Sequence, residues 1–304
     1  MTRLVAVAVV ALALLNPCFA WNRGGHLVSG ALAYSELSKT SPRSVDAGIT
    51  ILQWHPAFSH WQKEIEESAV TDKRKALFML AAAFPDDVRR GQFKRFDHPD
   101  WHYVNFRYSP TEPQTDVARA EPFNGKLMDV LQSNLATYKD SKVGTADRAV
   151  ALTWVLHLSG DLTQPLHVTA LVNADFPKGD RGGNDVYVRG SERNTRSVNL
   201  HKLWDDGATG AGVSLAKAAY LATELEARVP ALPTVTDARQ AIRNEAAVSY
   251  RLAVENAYLN GKLGYAIDDD AEAPLLPPDY TQRLKALSLQ QMIRSAALAT
   301  QLLR

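Results

Sequence analysis

The chain has 304 residues, enough for one large domain or two ordinary ones, and carries 34 Lys and Arg residues against 33 Asp and Glu. This balance excludes the bulk basic charge that is typical of many nucleic-acid-binding proteins. The only cysteine is Cys18, so a chain that loses its first twenty residues contains no cysteine and forms no disulfide bond.

The N-terminal segment predicts a secretory signal peptide of residues 1–20. Arg3 supplies the positive charge, Leu4 to Leu15 form an apolar centre that is too short to span a membrane comfortably, and Ala20 ends a small-residue cleavage site. We therefore expect an exported chain, periplasmic or extracellular, that begins at Trp21 and forms one domain. No later apolar run is long enough to cross a membrane, so we expect no stable membrane association.

The start of the mature chain is rich in glycine. Gly24 and Gly25 predict a tight bend before an apolar, helix-like run that starts at His26. The free α-amino group and carbonyl of Trp21 could chelate a metal ion together with His26. A frayed terminus with a surface histidine explains the same residues, and this segment alone favours that simpler interpretation.

Helical periodicity covers most of the remaining chain. His55 and His60, which flank Pro56, are predicted to lie on the surface. Residues 96–106 are aromatic and predicted to be extended, and residues 186–200 predict a small β-hairpin at most. The segments with helical spacing are Ser41 to Trp54, Phe58 to Ala69, Lys73 to Ala83, Glu112 to Tyr138, Ala146 to Ser159, Val213 to Arg228, Asp237 to Asn260 and Tyr280 to Leu303.

The central stretch, residues 151–168, sets polar groups into an apolar helix. His157 and Asp161 are four residues apart, so they lie on one helix face, close enough to bind one metal ion. Pro165 ends or kinks the helix, and His167 follows. A buried imidazole and carboxylate need partners. Either a metal ion or a simple His–Asp hydrogen bond in a core helix meets that need.

Further residues of the metal-ligand type are spread along the chain. His201 and Asp205 repeat the four-residue spacing, and Asp86 lies in an acidic pair that could also be a solvated helix start. Histidine nitrogen and carboxylate oxygen without thiolate suit zinc in a hydrolytic site. Spacing alone does not bring the segments together. The complete set is Trp21, His26, Asp86, His102, His157, Asp161, His167, His201 and Asp205.

A resemblance to a known family predicts how these segments come together. The chain resembles the secreted zinc-dependent type I nucleases, which include fungal single-strand nucleases, plant bifunctional nucleases and 3′-nucleotidases. Each motif is weak alone, but the ordered set spans nearly the whole mature chain. The motifs are Trp21-x4-His26, Pro85-Asp86-x-Val88-Arg89, Trp101-His102-Tyr103-Val104-Asn105, His157-x3-Asp161-x3-Pro165-Leu166-His167, Gly182-Gly183-Asn184 and Asn199-Leu200-His201-x2-Trp204-Asp205.

The resemblance implies an all-α fold shared with bacterial zinc phospholipase C and a cluster of three zinc ions. The first zinc would be held by Asp86, His102, His157 and Asp161, and the second by His167, His201 and Asp205. The third would be held by the amino nitrogen and carbonyl oxygen of Trp21, by His26 and by Asp161.

The resemblance also implies the chemistry. A water shared by two zinc ions is acidified and attacks phosphorus in line, oriented by Asp86, while Arg89 neutralises charge on the phosphoryl oxygens. The substrates would be single-stranded DNA and RNA and 3′-mononucleotides, with no obligate protein partner. Tyr103 matches the position that stacks on a base, and Asn105 and Asn184 match substrate-binding positions.

Two features depart from the family pattern. Eukaryotic members of the family it resembles carry disulfides and sugars, whereas the mature chain has no cysteine and no Asn-x-Ser/Thr sequon, so the resemblance implies a bacterial member. At Asn105 many members have Asp, which leaves the base preference open because an amide both donates and accepts.

Two other functions fit part of the same set of residues. A zinc phospholipase C shares the fold and metals, but Tyr103 and Asn105 favour a base over a choline headgroup. A zinc-binding protein without catalysis does not explain Arg89 placed one helical turn from Asp86.

Overall fold

The computed structural model describes residues 21–89, 91–190, 196–230, 235–269 and 272–304. The predicted signal peptide lies outside these residues. In the described ranges the α-helices are α1 (Arg23–Thr40), α2 (Pro42–Leu52), α3 (Phe58–Glu67), α4 (Lys73–Asp87), α5 (Leu127–Lys139), α6 (Thr145–Thr163), α7 (Leu200–Asp205), α8 (Leu215–Leu225), α9 (Ala238–Leu252) and α10 (Tyr280–Leu303). None of these helices is long and apolar enough to cross a membrane.

Shorter elements join the helices. The strands are β1 (Val104–Tyr108), β2 (Asn124–Gly125), β3 (Thr169–Leu171), β4 (Tyr187–Val188) and β5 (Val198–Asn199). Short 3-10 helices lie at Gly91–Phe96, Pro99–Trp101, Pro165–His167, Glu226–Arg228 and Leu259–Gly261, and a π-helical turn at Ala253–Ala257 continues α9.

Helix α6 lies at the centre of the fold. Its residues from Ala151 to Thr163 are all buried, as expected for a helix that is apolar on every side. It packs against α2, α4, α5, α9 and α10, while α1 packs against α4, α6, α8 and α10. The mutual contacts of α1, α4 and α6 bring three distant parts of the sequence together.

The mainly helical prediction is confirmed. The predicted hairpin is present, with Tyr187 of β4 opposite Asn199 of β5 in an antiparallel pair. The structure adds a small sheet that the sequence analysis did not contain, with strand order β2-β1-β3 and β1 parallel to β3. Only the end of residues 96–106 is extended, because 3-10 turns precede β1.

Two predicted helix boundaries were wrong. The helix predicted from Glu112 begins only at Leu127, because Pro122 and the positive φ of Gly125 (86°) do not fit a continuous helix. Helix α4 continues through Pro85 to Asp87, beyond the predicted end. A proline removes one N–H donor from a helix, yet α4, which packs against α1 and α6, continues past Pro85.

The predicted bend at Gly24 and Gly25 was also wrong, because both residues belong to α1. Their small size serves close packing instead. A Cβ atom on Gly25 would lie 2.7 Å from Cβ of Trp21 and 2.8 Å from Cε of Met292. The glycine therefore lets the first residue of the mature chain and α10 approach the backbone of α1.

The predicted surface position of His55 was wrong, whereas His60 is exposed as predicted. His55 is only 3% exposed and stacks on Trp61 with ring centroids 4.3 Å apart. Its Nδ1 accepts the backbone N–H of Ala57 at 3.0 Å. The turn between α2 and α3 places this imidazole against an aromatic cluster that includes Phe84. The polar ring of His55 is therefore buried in apolar surroundings.

Candidate metal centre

The predicted ligand side chains fall into three buried groups. Within each group the candidate ligand atoms all lie within 4.8 Å of one another. The groups are His26, His157 and Asp161; Asp86, His102 and His157; and His167, His201 and Asp205. Because the first two groups share His157, they form one continuous cluster.

Asp161 lies between the ligands of that cluster. Its Oδ1 is 3.3 Å from Nε2 of His26, while its Oδ2 is 3.1 Å from Nδ1 of His102 and 3.2 Å from Nε2 of His157. The two oxygens of one carboxylate therefore face different ligand sets. One carboxylate placed in this way can serve both ligand sets.

Backbone carbonyls fix the ring orientation of three histidines. Nδ1–H of His157 donates to the carbonyl of Ala82 at 2.8 Å, and Nδ1–H of His167 donates to that of His102 at 2.5 Å. Nδ1–H of His201 donates to the carbonyl of Gly182 at 2.6 Å. A carbonyl only accepts, so in each neutral ring the proton is on Nδ1 and the lone pair is on Nε2. Metal-binding histidines show this pattern.

The resulting lone pairs face one another. Nε2 of His167 and Nε2 of His201 are 3.0 Å apart, and Nε2 of His201 is 3.5 Å from Oδ2 of Asp205. Two lone pairs and a carboxylate at this separation repel unless a cation lies among them. Two nitrogen ligands of a tetrahedral zinc ion lie roughly 3.3 Å apart, close to the observed spacing.

The cluster that contains His157 and Asp161 also holds buried polar atoms without hydrogen-bond partners. Among the described residues, both ring nitrogens of His26, Nε2 of His102, Oδ1 of Asp161 and Oδ2 of Asp86 have no hydrogen-bond partner. Leaving such atoms unpaired in the interior costs roughly 1–3 kcal/mol each. Metal coordination removes that cost for the atoms facing the cluster, so the residues present fit zinc.

The charges in the cluster favour ionised carboxyl groups, the form that binds metal. Burial opposes ionisation of Asp161, but His157, His102 and His26 lower the pKa of that carboxyl well below its usual value. The pKa of Asp86 is also lowered, because the neighbouring histidines outweigh burial. Both side chains are therefore carboxylates that can coordinate a cation.

The pKa values of two histidines in the cluster are shifted in opposite directions. Burial, with the neighbouring charge of His157, lowers the pKa of His26. For His157 the effect of burial is exceeded by Asp161 and Asp86, so its pKa is raised. Protons and metal compete for Nε2 of His157, and acid therefore opposes metal binding.

Two polar residues near the ligands were missed by the sequence analysis. Gln164 is fully buried, donates from Nε2 to Oδ1 of Asp205 at 2.6 Å and thereby fixes that carboxylate. Asp180 is also fully buried and lies beside the loop that contacts His201. A signal for Gln164 existed, since it is a polar residue between two candidate ligands in an otherwise apolar stretch.

Arg89 lies at the edge of the cluster. It follows α4 and donates from its guanidinium to Oδ1 of Asp86 at 3.0 Å. Arg23 of α1 donates to both oxygens of Asp87 at 3.0 and 3.1 Å and to Glu64 at 2.9 Å. These ion pairs connect the start of α1 to the end of α4, next to the proposed ligands.

Trp21 packs into the same region. It is fully buried, and its indole N–H lies 3.5 Å from the hydroxyl of Thr163 at the end of α6. The backbone N–H of Asn22 donates to the carbonyl of Asp205 at 3.3 Å. The start of the described chain thus contacts the elements that carry Asp161 and Asp205.

The predicted substrate-binding residues occupy two places. Tyr103 follows His102 directly and packs against Gly125, where a Cβ atom would lie 2.8 Å from its Cδ2. Asn105 is buried and donates to Oδ1 of Asn124 at 2.7 Å. Asn184 instead belongs to the loop after β3 and donates to a backbone carbonyl, that of Arg181, at 2.8 Å.

Comparisons with known proteins agree with this arrangement. The model of the S1/P1 nuclease family matches residues 21–303. Endonuclease 4 of Arabidopsis thaliana is 24% identical over 284 residues, which cover 87% of this chain and 84% of that protein. Endonuclease 2 of the same plant is 37% identical over 220 residues, which cover 70% of this chain and 62% of that protein. The chain belongs to the S1/P1 nuclease family, whose members are hydrolases that act on ester bonds.

Proposed function

We propose that this chain is an exported zinc-dependent hydrolase with one catalytic domain, residues 21–304. It cuts single-stranded DNA and RNA to 5′-nucleotides and removes the phosphate of 3′-nucleotides. The observation that carries the proposal is the convergence of two Nε2 lone pairs, from His167 and His201, 3.0 Å apart beside a second His/Asp cluster. Clusters of several metal ions suit phosphoester hydrolysis.

We assign three zinc ions to the buried groups. The position of Asp161 between His26 and His102 supports a carboxylate shared by two ions. The first ion is assigned to Asp86, His102, His157 and Asp161, the second to His167, His201 and Asp205, and the third to His26, Asp161 and the amino nitrogen and carbonyl oxygen of Trp21.

The protein groups around the ions have separate roles. Zinc, when bound, supplies Lewis acidity that lowers the pKa of water and offsets phosphate charge. Asp86 has Oδ1 engaged by Arg89 while Oδ2 accepts no hydrogen bond from described residues, so Oδ2 can orient the attacking water. The guanidinium of Arg89 neutralises charge on the phosphoryl oxygens. The oxygen of the attacking water forms a new bond to phosphorus as the bond from phosphorus to the 3′ oxygen breaks. The water loses one proton to solvent, and the 3′ oxygen takes one proton from solvent.

Two residues that follow the ligand candidate His102 in the sequence are proposed to bind the substrate base. Tyr103 directly follows His102, and base stacking on an aromatic ring tolerates any base and favours single strands. Asn105 lies on β1 two residues further. Asn184 belongs to the loop that contacts His201 and is proposed to contact the sugar–phosphate backbone.

The substrate class is tested with zinc-loaded protein that begins at Trp21. We expect acid-soluble nucleotides from single-stranded DNA and RNA, phosphate release from 3′-AMP and none from 5′-AMP. Phosphatidylcholine vesicles should yield no diacylglycerol. Hydrolysis of the vesicles without hydrolysis of nucleic acid would instead assign a phospholipase.

The role of Arg89 is tested by a pair of matched variants. Arg89→Met should lower kcat by roughly 100-fold, because it removes a charge that acts on the transition state. Arg74→Met changes an arginine near the other end of α4, which is exposed and pairs with Asp46, and should leave kcat unchanged. Equal effects of the two substitutions would remove Arg89 from the catalytic groups.

A further inference from the structure

Asp180 is a buried carboxylate that the proposed reaction does not use. Its Oδ1 accepts the backbone N–H groups of Leu171 at 2.9 Å and Gly182 at 3.1 Å, and its Oδ2 accepts the hydroxyl of Tyr258 at 2.7 Å. Asp180 is fully buried and Tyr258 is 1% exposed. These donors explain how the protein tolerates the charge but not why an acid occupies this position.

The loop held by Asp180 contacts a proposed zinc ligand twice. The carbonyl of Gly182 accepts Nδ1–H of His201 at 2.6 Å, and the carbonyl of Gly183 accepts the backbone N–H of His201 at 3.2 Å. Gly182 has φ 64°, and a Cβ atom there would lie 2.3 Å from the carbonyl oxygen of Leu166. This tight backbone conformation needs an anchor, and Asp180 holds its amide.

We propose that Asp180 is a positioning residue for His201. By holding the amide of Gly182, it aims the carbonyl of the same residue at Nδ1 of His201. That hydrogen bond keeps the Nε2 lone pair of His201 directed at His167, the arrangement that zinc requires. The inference rests on the proposed function only in treating His201 as a zinc ligand.

The ionisation of Asp180 supports a functional reason for its presence. Burial raises the pKa of Asp180 to about 7, although hydrogen bonds from Tyr258 and backbone amides oppose the shift. Keeping a carboxyl group here therefore lowers stability near neutral pH relative to an exposed acid. Groups with such costs are typical of functional sites.

The same loop offers a matched control. Asp175 also accepts a tyrosine hydroxyl, from Tyr265 at 2.7 Å, but it is exposed, and its hydrogen bonds within the described part of the chain do not involve Gly182 or His201. Asp175→Asn therefore makes the same acid-to-amide change beside a tyrosine hydroxyl without touching the carbonyl that orients His201.

The test uses zinc-loaded protein from Trp21 onward and needs no substrate. Asp180→Asn puts an amide NH₂ among donors, so it should release one zinc at least about 10-fold faster in a chelator challenge, with the remaining zinc unaffected. In spectra of ¹⁵N-histidine-labelled protein, the Nδ1–H signal of His201 should exchange faster with solvent. Asp175→Asn should change neither, and Asp180→Glu should partly restore slow release.

Other outcomes are equally decisive. A folded Asp180→Asn protein with unchanged zinc release and unchanged His201 exchange overturns the proposal. Should Asp180→Asn not fold, Tyr258→Phe removes only the hydroxyl donor and must shift both readouts in the same direction. Because neither readout involves a substrate, an absence of nuclease activity would contradict the proposed function and leave this inference standing.

Discussion

The imidazole of His26 stacks on that of His157, with ring centroids 3.8 Å apart and planes inclined by 18°. The two rings come from α1 and α6, and both are completely buried. Oδ1 of Asp161 faces one ring and Oδ2 faces the other. Two stacked, buried imidazoles cannot both be charged at low cost, so the arrangement favours metal ions as the positive partners of this carboxylate.

Asp161→Ala should remove more than one zinc ion per chain, because its two oxygens face different ligand sets. His26→Ala should remove a single ion, since only the His26 group loses a nitrogen. Activity on single-stranded DNA should fall more than about 100-fold for Asp161→Ala. The measurement is zinc per chain by elemental analysis of folded protein, and full zinc content in Asp161→Ala would contradict a bridging role.

Gly160→Ala should disturb the site through a single methyl group. A Cβ atom on Gly160 would lie 3.0 Å from both Cε1 and Nδ1 of His26, so the ring must move. In an unobstructed helix the same substitution stabilises by about 1 kcal/mol. We expect instead a lower melting temperature and loss of one zinc ion.

The control for that substitution is Gly144→Ala. Gly144 precedes α6, and a Cβ atom there would meet only Oδ2 of Asp147 at an ordinary 3.5 Å. Its zinc content should equal that of the unmodified protein. Equal zinc content in Gly160→Ala would show that the ring of His26 is not confined by α6.

His55 should contribute to acid sensitivity. Burial lowers its pKa from 6.5 to about 3, so the folded state binds fewer protons than the unfolded state between these values. The stability contributed by neutral His55 is present above pH 6.5 and is lost as the pH falls toward 3, by at most about 1.4 kcal/mol per pH unit.

His55→Phe keeps a ring in the aromatic cluster and removes the titration. Its free energy of unfolding, measured by urea between pH 6.5 and pH 4.5, should therefore fall less steeply than that of the unmodified protein. His60→Phe changes an exposed histidine of the neighbouring helix and should keep the original slope. Identical slopes for all three proteins would contradict a buried neutral His55.

One extra residue before Trp21 should weaken zinc binding. An α-amino nitrogen exists only when the chain begins at Trp21, because in a longer chain that nitrogen is a planar amide and a poor ligand. We expect fewer zinc ions and a lower 3′-nucleotidase rate, both restored by trimming. Equal values for the two forms would reduce the cluster to two ions.

The local parts of the site could be predicted from sequence, because helical spacing places His157 and Asp161 on one face. The pair His201 and Asp205 follows from the same rule. The assembly of these pairs into one site could not be predicted from sequence, since it depends on the packing of α1, α4 and α6 across long sequence separations. Before the structure, only the resemblance to an ordered set of family motifs predicted that these pairs belong to one site.

The residues that sequence analysis missed act through tertiary contacts. Gln164 and Asp180 are recognised only when Asp205 and the carbonyl of Gly182 lie beside them. The sequence predicts His55 on the surface because its position next to Pro56 resembles an exposed turn, and nothing local reveals that Trp61 stacks on it. Such errors arise where packing overrides local pattern.

The most direct test of the central claim combines a metal count with the chemistry of the product ends. Native mass spectrometry of the chain from Trp21 should show three zinc ions. Zinc-loaded protein should convert single-stranded DNA to fragments that carry 5′-phosphate and 3′-hydroxyl ends, and chelated protein should produce none. Undiminished cleavage by zinc-free protein, or fragments that end in 3′-phosphate, would contradict the account.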